Sequence, residues 1–130
     1  MYLTTVNVTD TAENHFTDTV IVNVVDANEM SSAFKTIWSR MKTALLAGDI
    51  STALADYSEN TKSRYQQIFT QLINTNMVAP IYTNITDIVV SNMDSQIAEC
   101  WALRPENDGT HAYPITFVKD ENGVWKIMGY

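Results

Sequence analysis

The sequence predicts an α+β fold, with three helices on one face of a four-stranded antiparallel sheet and a β-hairpin extension in front. One observation behind this is a change of period. Residues 2–9 and 18–25 alternate like strands, whereas from Asn28 the apolar residues recur at helical spacing. A second is the return to alternation in four successive segments after Pro80. The third is the ending YPITFVKDENGVWKIMGY, in which two strand-like runs flank Asp120-Glu121-Asn122-Gly123. Asn122 and Gly123 both tolerate the left-handed backbone region that a tight hairpin uses.

The front hairpin joins YLTTVNVT (residues 2–9) and DTVIVNVV (residues 18–25) around Asp10-Thr11-Ala12-Glu13-Asn14. Val6 and Val8 share one face of the first strand, and Val20, Val22 and Val24 share one face of the second. A two-stranded unit is marginal alone, so it is expected to pair or pack with something else. Phe34, Ile37, Trp38, Met41 and Leu45 then form one stripe of an amphipathic helix that Gly48 ends. Asp49 caps a short helix from Ile50 to Asp56. Ser58 or Asn60 opens a third helix with Tyr65, Ile68, Phe69, Leu72 and Ile73 inward, ended by Asn74–Asn76 and Pro80. Strands are expected over Ile85–Met93, Gln96–Arg104, His111–Lys119 and Val124–Tyr130. Trp125 and Ile127 fall on one face of the last, as a floor for Trp38, Met41 and Phe69.

A chain of 130 residues suits one domain with an appended fragment, and 45% apolar with 18% charged residues is ordinary for a globular protein. The formal charge of −7 is concentrated at the front: Asp10, Glu13, Asp18, Asp26 and Glu29 precede the first Lys or Arg. The remainder is nearly balanced and carries no basic face, which argues against a nucleic-acid partner. No apolar run reaches the length of a membrane span. Cys100 is the single cysteine, so an intrachain disulfide is excluded; in Ala98-Glu99-Cys100-Trp101-Ala102 it reads as a buried strand thiol.

LLAGDISTALADYSENTKSRYQQIF, followed by four strands that end in YPITFVKDENGVWKI, resembles the nuclear transport factor two-like superfamily of cystatin-like α+β cones. The resemblance covers residues 28–130 and implies that the sheet curves into a cone around a pocket. VNVTDTAENHFTDTVIVNVVD resembles the last two strands of a bacterial immunoglobulin-like or cadherin-like repeat. Glu13 stands where that pattern usually has Gly. Residues 1–27 are then the remnant of an upstream domain. The chain reads as a piece of a longer multidomain bacterial protein, placed by resemblance outside the cell, at its surface or in the periplasm.

Enzymes of the superfamily, such as isomerases and cyclases, place an Asp or an Asp/His pair inside the cone for proton transfer. Here His15 falls in the front turn, His111 opens a strand near solvent, and Asp56 sits at a helix end. No catalytic motif carries over, and no catalytic residue is assigned. Trp38, Tyr57, Tyr65, Phe69, Trp101 and Tyr113, with Phe117, could line an apolar pocket for a small apolar ligand; the same spacings also serve plain core packing. Asp26-Ala27-Asn28-Glu29 is similar to the calcium-holding junction of cadherin-type repeats, but helix capping by Asp26 or Asn28 explains these residues with fewer assumptions. No metal or cofactor is expected. Asn7-Val8-Thr9 and Asn84-Ile85-Thr86 match the glycosylation triplet, which is short and frequent. The expectation is a non-catalytic accessory, interaction or ligand-binding module that dimerises through its sheet face or its hairpin. The alternative is an isomerase- or cyclase-type enzyme with Asp56 or His111 as the base.

Overall fold

The computed structural model describes residues 2–22 and 25–130; side chains are described for residues 3–20 and 25–130. The order is β1 (Tyr2–Thr9), β2 (His15–Val22), α1 (Ala27–Leu46), α2 (Ile50–Leu54), α3 (Glu59–Asn74), α4 (Val78–Tyr82), β3 (Asp87–Met93), β4 (Ile97–Glu106), β5 (Gly109–Lys119) and β6 (Trp125–Gly129). The fold is α+β with two antiparallel sheets, a β1-β2 pair and a β3-β4-β5-β6 meander.

The front hairpin starts its return strand earlier than the residue pattern suggested, at His15 rather than Asp18. The Asp10 carboxylate accepts the backbone N–H groups of Ala12 (2.8 Å) and Asn14 (3.0 Å), and Asp10 N–H donates to the Asn14 carbonyl. The turn therefore closes within 10–14, and Thr9 already pairs with His15. Asn23 and Val24, the predicted end of this strand, lie outside the described residues.

The Asp26 carboxylate accepts the Asn28 N–H at 2.7 Å and caps α1. Gly48, at φ +78°, lets the chain reverse after Ala47, and Asp49 then caps α2 through Thr52 N–H (3.0 Å) and its hydroxyl (2.6 Å). The second helix stops at Leu54, short of the expected Asp56, because the next residues bond to the sheet. Ile127 N–H donates to the Asp56 carbonyl (2.8 Å), and Ser58 N–H donates to the Ile127 carbonyl (2.9 Å).

Pro80, read from sequence only as a stop, lies inside a fourth short helix. Its third-residue position is among the first-turn N–H groups that have no intrahelical acceptor, so the missing donor is tolerated. In the last hairpin only Gly123 (φ +75°) takes the left-handed conformation that was expected of Asn122 as well. The loop closes instead on the Asp120 carboxylate, which accepts N–H from Asn122 and Val124, each at 2.9 Å.

The core lies between α1, α3 and the inner face of the meander. Ala98, Cys100 and Ala102 form a low strip on β4, flanked by Ile88, Ile115, Phe117 and Ile127. These small residues leave room for the large stripe of α1, so that Phe34 stacks on Phe117 with ring centroids 4.3 Å apart. Trp125 meets Phe34 edge-on at 5.2 Å. Among the described residues, no helix is long and apolar enough to cross a membrane.

Candidate functional site

The interior behind α1 is built from aromatic rings. Tyr57 lies 4.3 Å from Tyr65 and 5.6 Å from Phe69 between ring centroids, and Trp38 lies 5.7 Å from Tyr82 and 4.9 Å from Tyr130. Tyr113 joins at the edge through Tyr130, at 6.4 Å. Of the seven residues selected from sequence, Phe117 lies in the neighbouring core stacked on Phe34, and five, Trp38, Tyr57, Tyr65, Phe69 and Tyr113, thus converge. Trp101 does not: alternation along β4 turns it to the opposite face, beside Val89 and Pro114, where it is 43% exposed.

The hydroxyls of this cluster differ in their partners. The Tyr65 hydroxyl accepts Tyr130 N–H at 2.9 Å and donates to the Tyr130 carbonyl at 3.2 Å. Tyr57 Oη and Trp38 Nε1 are buried with no hydrogen-bond partner among the described residues. Burial pushes the Tyr57 and Tyr82 phenols well above their ordinary pKa, so both stay protonated and act only as weak polar points in an apolar interior. Tyr82 and Tyr130 were missed by sequence reasoning. The spacing of Val78 and Tyr82, both buried, was the available signal, hidden by reading residues 74–80 as a break.

The ionisable candidates sit elsewhere. Asp56 is buried, but its carboxylate is held by Arg40, whose Nε donates at 2.9 Å and whose terminal nitrogen donates to the second oxygen. Arg40 itself reaches the outer groove along α1, a space of about 870 Å³ rich in hydroxyls. His111 is at the exposed β4-β5 tip, 2.9 Å from Asp108. Its bond to Asp108, reinforced by the charges of Asp108 and Glu106, holds its pKa above the usual histidine value. Donor atoms of Glu106, Asp108 and His111 lie within 4.8 Å of one another, an exposed grouping that the sequence reading did not make. Arg104 Nε, 3.0 Å from Glu106, already neutralises part of that charge. His15 is also exposed, with Nδ1 3.0 Å from the Thr9 hydroxyl.

The other conspicuous surface is the front hairpin. Its register places Val6 opposite Asp18, Val8 opposite Phe16 and Thr4 opposite Val20 on one face. Val6, Val8, Phe16 and Val20 are all exposed, Phe16 by 58%. The opposite face carries Thr5, Asn7, Thr9, Thr17 and Thr19, tied by a Thr17 hydroxyl to Asn7 bond of 2.9 Å. One face is mainly apolar and the other, apart from the exposed Leu3, is polar, yet neither is covered by the rest of the chain among the described residues.

No protein-family model, curated protein or solved structure matches this chain.

Proposed function

We propose that this chain is a non-catalytic accessory module of an exported multidomain bacterial protein, and that it assembles through its front hairpin. In this reading residues 28–130 are a nuclear transport factor two-like cone and residues 1–27 are the end of an immunoglobulin-like unit. The observation that carries it is the exposed face of Val6, Val8, Phe16 and Val20 on a sheet with two open edges. Isolated hairpins are marginal and open edges recruit strands, so the face calls for a partner. A second copy of the chain supplies one, because the same edge can pair with itself about a two-fold axis with the acidic turns at opposite ends. The geometry of Asp56 and His111 favours this over the isomerase or cyclase reading. Both are engaged in ion pairs: the buried Asp56 with Arg40, which lines the outer groove, and His111 with Asp108 at the sheet tip.

Sedimentation analysis of the chain and of the double variant Val8→Asp/Phe16→Asp tests the proposal. A dimer that becomes a monomer in the variant supports it. A wild-type monomer at high micromolar concentration would overturn it. So would a dimer that survives in the hairpin variant and is lost in Trp101→Glu, since the sheet face would then be the interface.

A further inference from the structure

A cavity of about 610 Å³ opens between the start of α1 and the β3-β4 and β5-β6 ends of the sheet, apart from the aromatic interior and the hairpin face. Its walls include Val25, Met30, Met93 and Trp125, with Asp94 and Lys119 among the polar groups lining it. Its volume falls in the range of small-molecule sites, and its lining sets four apolar residues beside Asp94, Ser95 and Lys119. The Trp125 ring is oriented by its edge contact with Phe34, so one wall is rigid. Met30 and Met93 are unbranched and adapt to irregular apolar shapes.

The two charged groups differ in availability. The Asp94 carboxylate already accepts the N–H groups of Gln96 (2.7 Å) and Ile97 (2.8 Å), which fixes it as an anion in its own turn. Lys119 stands with its ammonium 5.1 Å from the Trp125 ring centroid and forms no ion pair among the described residues. An ammonium over an aromatic wall retains its donors for an anion, whereas Asp94 repels one.

The geometry points to a binding site for a small amphipathic carboxylate, with its apolar tail against Met30, Met93 and Trp125 and its head group on Lys119. The assignment rests on this cavity alone and stands whether or not the hairpins pair. Decanoate, decanol and decyltrimethylammonium, each below its aggregation limit, are the probes, read by chemical-shift changes at the three tryptophan indoles. Decanoate is expected to move the Trp125 indole and to bind about tenfold more tightly than decanol, as one charge-assisted contact allows. The ammonium compound is expected to bind more weakly than either. Lys119→Gln, on a half-buried side chain at a strand end, should bring decanoate down to the affinity of decanol without changing the circular dichroism. Val8→Asp/Phe16→Asp should bind decanoate normally. No Trp125 shift at millimolar decanoate, equal binding of decanoate and decanol, an unaffected Lys119→Gln variant, or shifts confined to Trp101 would each overturn the assignment.

Discussion

Cys100 shows how one position on the sheet decides a side chain's chemistry. It is 2% exposed on the inner face of β4 between Ala98 and Ala102, and burial raises its thiol pKa from 9.0 to about 12. The thiolate is the reactive form, so the native protein is expected to resist a thiol-specific disulfide reagent at pH 8 and to label only in denaturant. Rapid labelling without denaturant would contradict this burial. The sign for stability follows from the raised value. Below pH 9 the thiol is protonated whether the chain is folded or not, and nothing is lost. As pH climbs toward about 12 the unfolded chain sheds its proton first, and folding weakens. Cys100→Ala is expected to flatten that alkaline decline, as measured by denaturant midpoints across the range.

At the scale of elements, the front turn holds a mismatch between residue and backbone. Glu13 sits at φ +64°, in the left-handed region, where a side chain costs roughly 1–2 kcal/mol relative to the right-handed form. It is also the position where the immunoglobulin-like resemblance expects Gly. Glu13→Gly removes the strain but adds backbone entropy to lose, so a net gain of about 0.5–1 kcal/mol is expected in the hairpin. Amide exchange in β1 and β2 should slow by a few-fold, while α1 and the meander stay as they were. Faster exchange in the hairpin would count against this account of the turn. The same positions show what was legible from residues alone. Strong periodicity located α1, α3 and the meander strands because their buried stripes repeat many times, whereas the exposed hairpin showed only through alternation and its turn residues. The end of α2 escaped because tertiary bonds decide it: Ile127 captures Asp56 and Ser58, residues about seventy positions away. The short α4 escaped because Pro80, inside its first turn, reads as a stop. Part of the candidate interior was legible in the same way; Tyr82 and Tyr130 were missed, and Trp101 points outward because it alternates with the buried Cys100 along β4.

For the whole molecule, hairpin and body are expected to behave as separate cooperative units, because no described hairpin side chain is buried against the body. Ligation stabilises only what is folded together with the binding surface. Calorimetry should therefore give one melting midpoint for the body, unchanged with protein concentration and unchanged in Val8→Asp/Phe16→Asp, even though the association state differs. A midpoint that climbs with concentration would instead implicate the meander in the assembly. The body has a different consequence in its clasp between Tyr65 and Tyr130, whose bonds join residues 65 positions apart. Closing so long a loop carries its entropy cost before the contact returns anything. The clasp is therefore expected to form late in folding, with β6 completing the cover over Tyr57 and Phe69; a Tyr65→Phe variant that folds as fast as the wild type and unfolds faster would bear this out.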